Sequence, residues 1–198
     1  GDPDYDALAE SQRGETDPEA RRQMIFEAQA LIADAVPYVY VAHPAIPQLV
    51  RTDIWDPDSI VDAQGIGIQN FWTWIGLTPL GDQKSIIAET PSGLVAINPL
   101  YIAGDAPSRL TELIWDRLMR IGPDGLAQPW AAESVVWEDN VNALVTLREG
   151  MMWHDGMPVT VEDVKFSFEV PNTGEAPMYA PFVSRIANIE IVDEHSLR

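Results

Sequence analysis

His154 and Asp155 stand side by side, followed by Gly156 and Pro158, in the stretch MMWHDGMPVTVEDVKFSF spanning 151–168. An imidazole beside a carboxylate is raw material for general acid–base catalysis or for metal binding. Either use needs more groups. A general base needs a positioned partner, and a metal needs several ligands at workable spacing. The other two histidines, His43 and His195, lie far off in sequence, and no HExxH occurs. An aspartate before a glycine has a simpler use. Its carboxylate accepts from N–H groups just downstream while the glycine takes positive φ, which makes a turn. A structural role is therefore favoured for the pair. Thr160, with Asp163 three residues on, predicts a capped helix through VEDVKFSFEV.

The remaining chemistry is sparse. Glu10, Glu15, Asp17 and Glu19 form an acidic run that reads as a solvated face. No GxGxxG, GxxxxGK[ST] or GxSxG occurs, so nucleotide binding and a serine nucleophile elbow have no support. With no cysteine there is neither a disulfide framework nor thiolate chemistry. No cofactor, metal site or catalytic residue is expected, and the chain reads as a non-enzyme.

The elements that position these residues alternate in type. TDPEARRQMIFEAQALIADAVP predicts a helix capped by Thr16 or Asp17, with Pro18 in its first turn and Pro37 at its end. Met24, Ala28, Leu31 and Ala35 line one face, with Ile25 and Ile32 beside it, and that face is expected on a core. YVYVAHP reads as a strand. Residues 51–83 carry three Trp, four Gly and two Pro and read as loops, with a short strand near Phe71–Trp74. Packing is the favoured use of those tryptophans. KSIIAETP reads as a strand opening a new unit, and SRLTELIWDRLMRI as an amphipathic helix. GPDG at 122–125 is a turn, SVVWED and ALVTLRE a hairpin, and IANIEIVDEHSLR a terminal strand. The mixture is α+β.

The chain has 198 residues, 46% of them hydrophobic, enough for one substantial core. The net charge of −19 repels phosphate backbones, so nucleic acid is excluded as a natural partner. No apolar run reaches the length of a membrane span. The opening residues GDPDYDALAESQRGETDPEARR are polar and acidic and do not read as a secretory signal.

The stretch from LTELIWDRLMRIGPDGLAQPWAAESVVWEDN through LREGMMWHDGMPVTVEDVKFSFE resembles the N-terminal block of the extracellular solute-binding proteins, family 5, of peptide- and nickel-type ABC importers. The matching pieces are PWAAESVVW, Leu147-Arg148-Glu149-Gly150, and His154-Asp155-Gly156 through Val164. Upstream, AINPLYIAG resembles the segment that follows that family's first strand. DPDYDALAESQRGETDPEARRQMIFEAQALIADAVPYVYVAHP is similar to the same family, but to its C-terminal part. The two blocks therefore stand in permuted order, 1–80 and 84–198, with a join near 76–84 and the family's middle lobe missing. Circular permutation, a junction of two tandem binding proteins, and engineered joining all give this order.

The resemblance implies lobe I of a two-lobe periplasmic-binding-protein-like fold of cluster C type, a mixed sheet with packed helices. It implies one folded domain over 1–198, with the cut ends Gly1 and Arg198 near the hinge. It implies solute capture, not catalysis: a peptide or other small-molecule ligand held between lobes, an ABC permease as partner, and lobe II supplied elsewhere. The location implied is periplasmic or extracellular, with membrane association through the transporter. Residue by residue, Ala103, Gly104 and Asp105 match the cleft-lining segment, and Tyr179 matches a loop aromatic that packs on ligand. A structural or interaction domain that keeps the fold without binding ligand is the alternative.

Overall fold

A computed structural model describes the chain apart from residues 1, 40, 43–46, 64, 88–97, 102–104, 175, 177 and 178. The chain divides into two compact units. One comprises Gly1–Pro47 and Trp137–Asn142, the other Gln48–Val136 and Ala143–Arg198.

The first unit is built on two helices. Helix α1 (Pro3–Ser11) is capped by Asp2, whose carboxylate accepts from the N–H groups of Asp4 and Tyr5 at 2.9 and 3.0 Å. Helix α2 (Pro18–Ala35) is capped by Asp17 rather than Thr16: Asp17 Oδ1 accepts from Glu19 and Ala20 at 3.1 and 2.7 Å. Val36, in the left-handed region at φ 44°, ends α2 just before Pro37. The two helices pack together. Ala20, Met24, Ala28, Leu31 and Ile32 are the half-buried positions on α2, close to the predicted stripe, but Ile25 and Ala35 are exposed and no residue of the helix is fully buried. The expected strand after Pro37 is not formed over the described residues, where Tyr38, Val39 and Val41 are exposed.

In the second unit the described strands make two small sheets instead of one. Strands β1 (Met119–Ile121) and β2 (Ala127–Pro129) pair antiparallel around the GPDG turn, with Gly125 at φ 80°. Strands β3 (Ala132–Trp137), β4 (Ala143–Leu147) and β5 (Ser196–Leu197) form the other sheet in that order, β4 and β5 antiparallel. Leu147, Val161 and Leu197 form its buried core, with Leu118, Val145, Met151, Val164 and Ile189 packed against them.

Three expectations are corrected. Phe71–Gly76 is helix α3, not a strand, because Asn70 caps it by accepting from Thr73 N at 3.0 Å. The helix expected over 108–121 ends early. Helix α4 spans Asp105–Thr111, and the chain then turns and becomes β1, because residues 119–121 find a strand partner across the turn. Residues 84–87 form no strand, and Ile87 is 97% exposed; the rest of that stretch lies outside the described residues.

Candidate functional site

The His154–Asp155 stretch folds as a corner. Asp155 Oδ1 accepts from Met157 N at 3.0 Å, Gly156 N donates to Trp153 O at 2.9 Å, and Trp153 N donates to Met157 O at 2.7 Å. Gly156 sits at φ 85°, where a side chain is disfavoured. Helix α5 (Val161–Glu169) then starts on a complete capping box: Thr160 Oγ1 accepts from Asp163 N at 3.3 Å, and Asp163 Oδ2 accepts from Thr160 N at 2.9 Å. Asp163 Oδ2 also accepts from Trp153 Nε1 at 3.2 Å, which ties the corner to the helix. The Thr160 N–H in particular, with help from Trp153 and the Thr160 hydroxyl, holds the Asp163 carboxyl below the usual aspartate range. Among the described residues no group of three or more His, Asp or Glu could hold a metal ion. The pair is used to turn the chain.

The densest side-chain constellation lies elsewhere in the same unit. Phe71, Trp72 and Trp130 meet edge to face, with centroids 5.4, 5.2 and 5.6 Å apart. The Arg120 guanidinium stacks over Phe71 at 3.7 Å and lies 5.2 Å from the Trp130 ring, while Arg148 lies 5.7 Å from Trp130. Arg120 is 4% exposed. A buried charge demands partners. Its Nη2 donates to Glu112 O at 2.9 Å and to Asp116 Oδ1 at 3.2 Å, and Asp116 Oδ1 also accepts from Trp130 Nε1 at 2.8 Å. Arg120 Nε finds no acceptor among the described residues; the Phe71 ring is its companion.

The loop before α3 feeds this cluster. Gln48 Oε1 accepts from Ile68 N and Gln69 N at 2.6 and 3.2 Å, and its Nε2 donates to Ile66 O at 3.0 Å. Gly67, at φ 78°, lets it come that close, since a Cβ there would stand 2.4 Å from Gln48 Oε1. Buried Asn70 donates to Val61 O and Gly67 O, both at 2.6 Å. Gln69 Oε1 accepts from Arg109 Nη1 on α4 at 2.9 Å.

Of the four residues matched to a ligand cleft, Ala103 and Gly104 lie outside the described residues. Asp105 begins α4. Tyr179 is 37% exposed and precedes helix α6 (Ala180–Val183), its carbonyl accepting from Phe182 N at 2.9 Å. Phe182, on α6, is 77% exposed.

Residues 127–198 match the profile described as bacterial extracellular solute-binding proteins, family 5 Middle. Over that segment the chain is similar to family 5 of these proteins. The probable peptide-binding protein YejA of Agrobacterium fabrum is 33% identical over 51% of this chain and 17% of its own length. The periplasmic oligopeptide-binding protein OppA of Salmonella typhimurium is 30% identical over 56% of this chain and 21% of its own length. These relatives are named as binding proteins, and the chain spans about a fifth of their length or less. A mannohexaose-bound oligopeptide-binding protein of Thermotoga maritima is 39% identical over 36% of this chain and 13% of its own, with a TM-score of 0.35. The family segment takes in Trp130, Arg148, the His154–Gly156 corner and α5. The corner thus lies within the segment that is similar to that family.

Proposed function

We propose that these 198 residues are a lobe-I portion of an extracellular solute-capture protein serving an ABC importer, with family 5 blocks in permuted order. The observation that carries the reading is the family match over 127–198, in a segment whose only His–Asp pair is spent on a turn. Further support comes from the second unit. There Phe71 and Trp72, from the block resembling the family's C-terminal part, pack on Arg120 and Trp130, from the block resembling its N-terminal part. Terminal blocks of a chain that leaves one lobe and returns to it belong together in that way. The partners of the whole protein are then a peptide or similar solute, lobe II and a permease, and its place is the periplasm or cell exterior. In this reading the backbone of 103–105 and Tyr179 are the ligand-facing groups of the lobe.

The test is amide NMR of the chain, titrated separately with a mixed-sequence tetrapeptide and with mannohexaose. The expected outcome is small shifts at 103–105 and 179–182, appearing only at millimolar ligand, because a solute held between lobes gains most of its burial from both. Micromolar binding would refute the single-lobe reading. Shifts at neither segment up to the solubility limit would favour an interaction domain that keeps the fold without the ligand.

A further inference from the structure

The Phe71–Trp130 contact joins two pieces of chain that each carry their own internal hydrogen bonds. We propose that the face formed by Arg120, Trp130 and the backbone at Ile121 is a docking site for an aromatic loop, Gln48–Leu80, and that this docking holds without the covalent link between them. The inference is independent of any solute.

The loop is closed on itself. Asp56 N donates to Thr78 O and Leu80 N to Ile54 O, both at 2.9 Å, so its two ends lie side by side around the Trp55–Pro79 bridge. Gln48 clasps residues 66–69, and Asn70 caps α3 while donating to Val61 and Gly67. What this body presents is Gln69, Phe71 and Trp72. The receiving face is likewise held by its own stretch, since Glu112 and Asp116 fix Arg120, and Asp116 fixes Trp130. The joint has an apolar and cation–π centre at Phe71, flanked by two polar anchors. Trp72 Nε1 donates to Ile121 O at 3.0 Å, and Arg109 Nη1 donates to Gln69 Oε1 at 2.9 Å. Aromatic anchors packed against arginine are what concentrate energy in interfaces between separate chains. Pre-ordered bodies also lose little conformational freedom on meeting. After Leu80 the chain passes through exposed Gly81 and Asp82, which add no part of the joint.

The experiment inserts a protease recognition sequence between Gly81 and Asp82 of the full chain. The chain is purified uncut, cleaved, and run on a sizing column at micromolar concentration. The two fragments should co-elute. In the same background, Phe71→Ala with Trp72→Ala should weaken their association by about a hundredfold or more, judged from truncated buried aromatics. Trp72→Phe keeps the ring and removes the indole donor, and should weaken it about fivefold. Circular dichroism of the uncut variants checks that they are folded. Separation of the unmutated cut fragments would overturn the proposal. So would cut fragments that stay together equally well with both aromatics removed, because the holding contacts would then lie elsewhere. If the double variant fails to fold, the Trp72→Phe result decides: unchanged association refutes the site.

Discussion

The corner at 151–169 and the aromatic–arginine cluster belong to the same unit and are built at opposite ranges of the chain. In the corner every bond joins near neighbours: Asp155 reaches two residues, Thr160 and Asp163 reach three, and Trp153 reaches ten. In the cluster, Trp72 reaches Ile121 across 49 residues and Gln69 reaches Arg109 across 40. The corner puts a polar residue at each place where backbone donors are orphaned, and its energy is spread over caps and turn bonds. The cluster desolvates a cation, sets two rings against it and packs three rings edge to face, so its energy sits in a few side chains. Breaking the first should cost little per residue and stay local. Breaking the second should loosen the whole unit.

The largest effect is expected at Phe71, 9% exposed and touching two rings and a guanidinium. Phe71→Ala removes that contact surface and leaves Arg120 without its companion. About 3–5 kcal/mol of unfolding free energy should be lost in urea titrations followed by tryptophan fluorescence. A loss under about 1 kcal/mol would mean that the cluster contributes no more than an ordinary surface contact. Asn70→Ala comes next. It strips the Thr73 cap and removes one of two donors to each of the Val61 and Gly67 carbonyls, which keep Thr73 Oγ1 and Ala63 N, a cost of about 1–2 kcal/mol by the same measurement.

The range of these contacts also explains what could be read from the residues alone. The Asp-Gly turn, the Thr160–Asp163 capping box, the GPDG turn and the apolar stripe of α2 are written within a few neighbours, and each was predicted. Phe71–Trp74 was taken for a strand because its aromatic, β-prone composition outweighed the single capping asparagine before it. The helix pattern over 108–121 is real as a pattern, but tertiary pairing of 119–121 with 127–129 overrides it. Arg120 looks like an exposed helix residue in sequence. Only the return of the chain at Trp130 and Phe71 makes it a buried cation, and no local signal marks that. Trp72 is legible as a packing residue, but nothing near it in sequence marks Phe71 or Trp130 as its partners.

Within the corner the expected effects are smaller. Gly156 has open space where a Cβ would stand, so Gly156→Ala meets no clash and costs only the positive-φ strain, about 1 kcal/mol. Thr160→Ala removes the N-cap acceptor and should cost about 1 kcal/mol, with the loss of helical circular dichroism confined to the α5 share. A loss at Thr160→Ala equal to that at Phe71→Ala would erase the distinction between the two regions.

The smallest effect is a matter of pH. Asp163 accepts from Thr160 N, Thr160 Oγ1 and Trp153 Nε1, all of which favour its ionised form, so its folded-state value lies below the ordinary 3.8. The sign follows from proton binding: below that ordinary value the unfolded chain takes up the proton first, so falling pH favours unfolding. The contribution of Asp163 is fully present above the unfolded-state value and is lost as pH drops through the folded-state one. Asp163→Asn should therefore weaken the corner at neutral pH and flatten its acid dependence below about pH 4, read as the slope of the urea midpoint against pH. That slope reports the α5 cap, where a single carboxylate closes the capping box and holds Trp153.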